Sequence, residues 1–223
     1  MKVLIFGAGG MLGQGVLREC LLADDVSEIV AIGRSPVSQS FVPNSTKFSQ
    51  RQFADLMQAD LSEFADFDAC FYTIGMTSSG HSEAEYRATM QDLPLTIAGK
   101  LQENNSKLTF VFVSGAGSDA AGGKIWAKVL GETENFLQNI RFSAVFAFRL
   151  AIVQPLHGIQ SKTKHYRRFY KLAAPLLPLA RKLFPEKIVS TEIVGKAMLN
   201  CVRFGYTQSV LESRDIARLA GQA

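Results

Sequence analysis

The 223-residue chain holds only three cysteines, three histidines and one tryptophan, and it has no block of lysines or arginines. Each scarcity excludes something. Cys20, Cys70 and Cys201 fall far apart in segments that read as helix, strand and helix. They are expected as small apolar core residues in a reducing compartment, not as a disulfide framework or a metal-binding set, and no metal site is expected. His81 and His157 lie in loops with no visible partner, where each is either a solvated side chain or a pocket acid or base. The formal charge of +4 suits an anionic ligand, but without a basic arm nucleic acid is not an expected partner. No stretch reaches the ~20 apolar residues that a membrane span needs, and the N-terminus runs directly into a strand without a leader. The expected location is therefore the cytoplasm. With 47% hydrophobic residues and no visible linker, residues 1–223 are expected to form one domain.

What is present begins at once, with MKVLIFGAGGMLG. Val3, Leu4, Ile5 and Phe6 form the continuous apolar run of a parallel strand buried on both faces, and Gly7, Gly9, Gly10 and Gly13 follow. Leu12, Val16, Leu17, Leu21 and Leu22 then recur at helical spacing. A strand feeding a glycine turn that opens a helix is a site for a pyrophosphate, because free backbone N–H groups and the positive end of the helix dipole converge there. Gly7, Gly10, Met11, Leu12 and Gly13 are thus candidate cofactor-binding residues.

Residues 28–33 read as a second buried strand, with Arg34 at its carboxyl end. In a dinucleotide fold an acid at that position binds the ribose 2′-hydroxyl, whereas an arginine accommodates a 2′-phosphate. NADP(H) is therefore expected in preference to NAD(H). A Ser- and Pro-rich loop (35–47), a weaker strand (48–53) and a short helix (56–64) follow, with Asp55 and Leu56 either beside the adenine or in a solvated turn. Residues 67–75 read as a fourth strand ending in Gly75 at the ligand edge, and a long helix is expected from about 83 to 104. The strand at 108–113 delivers Ser114 to the pocket edge near Gly7 and Gly75, where it can bond nicotinamide or substrate. The expected fold is a doubly wound parallel α/β sheet of Rossmann type.

These residues together resemble the short-chain dehydrogenase/reductase superfamily. More narrowly, they resemble its atypical branch of small proteins similar to Tat-interacting oxidoreductase-like and NAD-dependent epimerase-like proteins. The GxxGxxG signature is present as Gly7, Gly10 and Gly13, the fifth strand ends in serine, and 146–152 (FAFRLAI) and 210–216 (VLESRDI) match later family segments. The resemblance implies a catalytic Tyr followed four residues later by a Lys. The matching segment, 124–134 (KIWAKVLGETE), has Trp126 and Leu130 there. Indole has no proton that titrates usefully, and Leu130 can stabilise no phenolate. Lys128 cannot substitute, since two residues along a helix turn a side chain about 200° away. Trp126 either stacks on substrate or nicotinamide or packs in the core. The family's Arg-Pro-Gly is also altered, to Arg149, Leu150 and Ala151.

Residues 154–190 read as a substrate lid, within which 161–187 interleaves lysines and arginines with aromatic and aliphatic residues. Such a segment either packs as a lid or lies on an anionic membrane surface. Thr191 is expected to cap a helix over 191–202, with a late strand at 210–212. The resemblance implies a homodimer through helices 83–104 and 124–139. The expected function is an NADP(H)-dependent reductase, dehydrogenase or epimerase acting on a small carbonyl or alcohol, with Ser114 orienting the reacting oxygen. The alternative is a non-catalytic NADP(H)-sensing or regulatory protein with a protein partner.

Overall fold

The computed structural model describes residues 1–38, 45–160 and 187–222. Its first strand, β1 (Lys2–Phe6), leads through the glycine turn into α1 (Met11–Leu22), and β2 (Glu28–Gly33) and β3 (Phe48–Gln52) follow. The chain then crosses to β4 (Ala69–Tyr72), α2 (Glu83–Arg87), a π-helical turn (Ala88–Asp92) and α3 (Leu93–Gln102). Next come β5 (Thr109–Gly115), α4 (Ile125–Leu137), β6 (Ala144–Leu150) and β7 (Ile152–Gln154). The last described elements are β8 (Ile188–Ser190), α5 (Thr191–Phe204), β9 (Val210–Glu212) and α6 (Ser213–Ala220).

Seven strands pair in parallel in the order β3-β2-β1-β4-β5-β6-β9, while β7 and β8 form a separate parallel pair. This is the Rossmann fold. The apolar runs explain the arrangement, because alternate residues of one strand enter two different cores. Val3 and Ile5 pack with Val16 and Leu17 of α1 and with Val194 and Met198 of α5. Leu4 and Phe6 face the other way, onto Ile97 and Leu101 of α3 and Val129 of α4. Strand order reverses between β1 and β4, and in such sheets ligands bind in the crevice beyond the carboxyl ends at that point.

Three local expectations change. Residues 56–64 form no helix. Asp55 accepts a bond from Met57 N and Asp60 one from Ser62 N, both at 2.9 Å, and such side-chain bonds to nearby backbone compete with helix. Lys100 Nζ then fixes the loop by donating to the carbonyls of Met57 and Ala59, each at 2.8 Å.

The long helix at 83–104 starts as expected, with Ser82 capping and Glu85 closing a capping box. It is interrupted, however, by the π-helical turn, where Leu93 N bonds back to Ala88 O. Pro94 is the physical reason: it lacks the N–H that would take the Met90 carbonyl, and Thr133 Oγ1 of α4 donates to that carbonyl instead, at 3.1 Å.

The cap of α5 is Ser190, whose hydroxyl accepts from Ile193 N at 3.1 Å. Thr191 instead accepts from Leu156 N at 3.2 Å. Of the expected lid, residues 161–186 lie outside the described residues, and with them nearly all of the basic-aromatic segment. Among the described residues, no helix is long and apolar enough to cross a membrane.

Candidate nucleotide site

The glycine turn is built for close approach. Gly7 has φ +86°, and a Cβ there would stand 2.8 Å from Ile74 N, so the conformation and the neighbouring strand end both require glycine. A Cβ on Gly13 would fall 2.2 Å from Gly7 O, so its absence lets α1 sit directly behind the turn. Gly10 caps α1 in an extended conformation with no side-chain hydrogen bond, and the first turn holds no acid. The leading amides of α1 therefore have no side-chain partner and remain free for an anion. Gln14 Nε2 donates to Gly9 O at 3.1 Å and steadies the turn from below.

Beyond the carboxyl ends of β1, β2 and β4 lies a cleft of about 470 Å³. Of the predicted cofactor residues, Gly7, Gly10, Arg34, Asp55, Leu56 and Gly75 line it. Met11, Leu12, Gly13 and Ser114 do not. Met11 and Leu12 pack half-buried against the α1 side of the core, and Gly13 acts through its close approach to Gly7. Several lining residues escaped the sequence reading. Arg51 stands near the end of β3, Thr73 follows β4, and Thr89 and Leu93 come from the π-helical turn and the start of α3. Thr73 Oγ1 donates to Phe6 O at 2.8 Å, tying the ends of β1 and β4 together under the cleft. Position alone signalled Arg51, at the carboxyl end of a strand, whereas the π-helical turn was signalled by Pro94.

At the other end of the sheet edge the groups satisfy one another. Ser114 is 5% exposed, its hydroxyl donating to Glu134 Oε1 at 2.5 Å and lying 3.0 Å from Ser118 Oγ. Arg149 grips the buried Glu134 carboxylate through Nε at 3.1 and 3.2 Å and through Nη2 at 2.6 Å. Its Nη1 reaches Glu212 at 3.4 Å. The Glu134 bonds, its desolvation notwithstanding, raise the affinity of the Arg149 guanidinium for its proton. Thus Ser114 arrives at the strand end as expected, but its hydroxyl is already committed. Trp126 packs half-buried over the turn after β5, where a Cβ on Gly117 would be 3.5 Å from its Cη2. Leu130 is 4% exposed beside Gly115. Apolar carbon therefore fills the positions where the resemblance places Tyr and Lys.

Neither loop histidine enters the cleft. His81 is exposed, 3.9 Å from Glu85, and His157 Nε2 lies 2.8 Å from Glu192. The cysteines are buried, with no disulfide, and burial pushes all three thiols up. Among the described residues, no group of His, Cys, Asp and Glu is placed to hold a metal ion.

No protein-family model matches the chain. Solved structures do. UDP-N-acetylglucosamine 4-epimerase from Methanobrevibacter ruminantium M1, in complex with UDP-N-acetylmuramic acid, superposes with a TM-score of 0.70 at 17% identity, covering 94% of this chain and 75% of the epimerase. The fold is shared. UDP-glucuronic acid 4-epimerase from Bacillus cereus, in complex with NAD, gives 0.66 at 15% identity over 95% of this chain and 76% of that one. WbmG from Bordetella bronchiseptica, in complex with NAD and UDP, gives 0.66 at 15% identity over 99% and 77%. These structures carry the fold that the resemblance to short-chain dehydrogenases implies, and the second and third of them hold NAD.

Proposed function

We propose that the chain is an atypical short-chain dehydrogenase/reductase that binds NADP(H) and acts as an oxidoreductase or epimerase-like protein on a small carbonyl or alcohol. One observation carries the reading: a glycine turn and an uncapped helix face a cleft lined by Arg34, which follows β2 with no acid next to it in the chain. The dinucleotide pyrophosphate would lie against Gly7, Gly10 and the first amides of α1, and the adenine against Asp55 and Leu56. Bound there, the nicotinamide would accept or donate hydride. NAD in the structural neighbours supports a dinucleotide, and Arg34 favours the 2′-phosphorylated form.

Proton transfer has to differ from the family's. Neither Trp126 nor Leu130 moves a proton, and Ser114 would orient a reacting oxygen only by turning away from Glu134. Hydride transfer itself depends chiefly on alignment of nicotinamide and carbonyl, so water can supply the proton. A second reading, a non-catalytic NADP(H) sensor, rests on that same filled niche alone, and the epimerases among the structural neighbours do not favour it. The two part in one experiment: the purified protein is mixed with NADPH and a panel of small aldehydes, ketones and keto-sugars. Substrate-dependent loss of NADPH absorbance supports the enzyme. Tight NADPH binding with no turnover on any member leaves the sensor.

A further inference from the structure

Arg51 lines the cleft and takes no part in the site as drawn from the glycine turn and Arg34. It pairs in register with Ile32 of β2, and Ile32 belongs with Leu56 to the core on that face of the sheet. One residue earlier, Gln50 points to the other face and accepts from Val37 N at 2.9 Å, which draws the chain after Arg34 back along β3. Phe53 N donates to Gly33 O at 3.1 Å, so the strand ends carrying Arg34 and Arg51 lie side by side. Among the described residues, the only carboxylate lining this end of the cleft is Asp55, which accepts from Met57 N. Two guanidinium groups and one carboxylate thus line the cleft where the adenosine ribose of a dinucleotide would lie. Among the described residues, Arg51 itself is held by Glu63, at 3.4 Å between half-exposed side chains, and by a 3.3 Å bond to Gln50 O. An exposed pair of that kind contributes little and yields readily to a doubly charged competitor.

We propose that Arg51 is a specificity-determining residue: with Arg34 it brackets the 2′-phosphate of the dinucleotide, one guanidinium from each of two adjacent strand ends. This rests on the nucleotide reading of the cleft. A planar guanidinium can bond two phosphate oxygens at once, and two of them discriminate a phosphate from a hydroxyl far more sharply than one.

The test is calorimetric titration of the full chain with 2′,5′-ADP and 5′-AMP, for wild type, Arg34→Ala, Arg51→Ala and Glu63→Gln. Arg51→Ala is expected to weaken 2′,5′-ADP about tenfold or more, the size of one charge-assisted bond, and to leave 5′-AMP unchanged. Glu63→Gln, which frees the guanidinium, is expected to bind 2′,5′-ADP as tightly as wild type or tighter. Wild-type affinity for 2′,5′-ADP in Arg51→Ala, with affinity lost in Arg34→Ala, overturns the role of Arg51 and leaves the nucleotide reading standing. Equal wild-type affinity for the two ligands overturns the role of Arg51 together with the preference for the 2′-phosphorylated form, and binding of neither overturns the nucleotide reading as well.

Discussion

The two ends of the ligand edge differ in what they leave open. At the adenosine end, beyond β1, β2 and β3, the backbone amides of α1 lack side-chain caps and Arg34 and Arg51 face a cleft. At the nicotinamide end, beyond β5 and β6, Ser114, Glu134 and Arg149 satisfy one another, and Trp126 and Leu130 fill the remaining space. Polar groups without protein partners are where a ligand gains hydrogen bonds, and groups already paired are where the protein gains stability. The first end is arranged for binding and the second for structure. On the proposed reading, nucleotide recognition and proton transfer, which short-chain dehydrogenases place in one pocket, would be separable in this chain.

The comparison breaks most visibly at Glu134. Its replacement by alanine strands the Arg149 guanidinium and the buried Ser114 hydroxyl, so the protein should lose about 3 kcal/mol of stability in urea denaturation. Little change in midpoint would mean that the network contributes nothing. Leu130→Ala should cost about 2–3 kcal/mol through the cavity it opens while leaving NADPH affinity unchanged. An accompanying loss of affinity would show that the two ends are coupled. Gly13→Ala works in the opposite direction. The clash with Gly7 O should disturb the turn at a cost of about 1–3 kcal/mol and abolish NADPH binding, as calorimetry would report.

Lys100→Met releases two loop carbonyls behind Asp55 and Leu56, for about 1 kcal/mol, and should weaken NADPH and NADH equally because only the adenine wall is loosened. The smallest effect is that of acid. Lys196 first, and His157 second, push the Glu192 carboxyl down from 4.5 to about 2. A carboxyl lowered on folding adds stability that is fully present above its unfolded value and is lost as pH falls through the folded one. Wild type should therefore lose stability between about pH 4.5 and 2, and Glu192→Gln, expected to be weaker by about 1 kcal/mol or less at pH 7, should show a shallower decline.

How much of this was legible in the sequence depended on how local each feature is. The glycine turn, the place of Arg34 at the end of β2 and the doubly wound parallel sheet follow from apolar runs and from residues adjacent in the chain, and the structure has them there. The loop at 56–64 was misread as helix because Asp55 and Asp60 bond their own backbone while Lys100, some forty residues away, fixes the carbonyls. The π-helical turn was foreshadowed by Pro94, but its stabilising partner, Thr133, lies on another helix. Ser114 was read as bonding nicotinamide or substrate because it follows the fifth strand at the ligand edge, while its bond to Glu134, and that of Glu134 to Arg149, depend on α4 packing over the strands. Arg51 enters the site only through the register of β2 on β3.

Binding of NADP(H) at the adenosine end is the property on which the proposed function depends. It is tested most directly by titrating the protein with NADPH and NADH and following energy transfer from Trp126, the single tryptophan, in wild type and in Arg34→Ala. Saturable NADPH binding, much weaker NADH binding, and loss of the difference in Arg34→Ala are expected. NADH binding as tight as NADPH in the wild type, or no binding of either, would contradict that expectation.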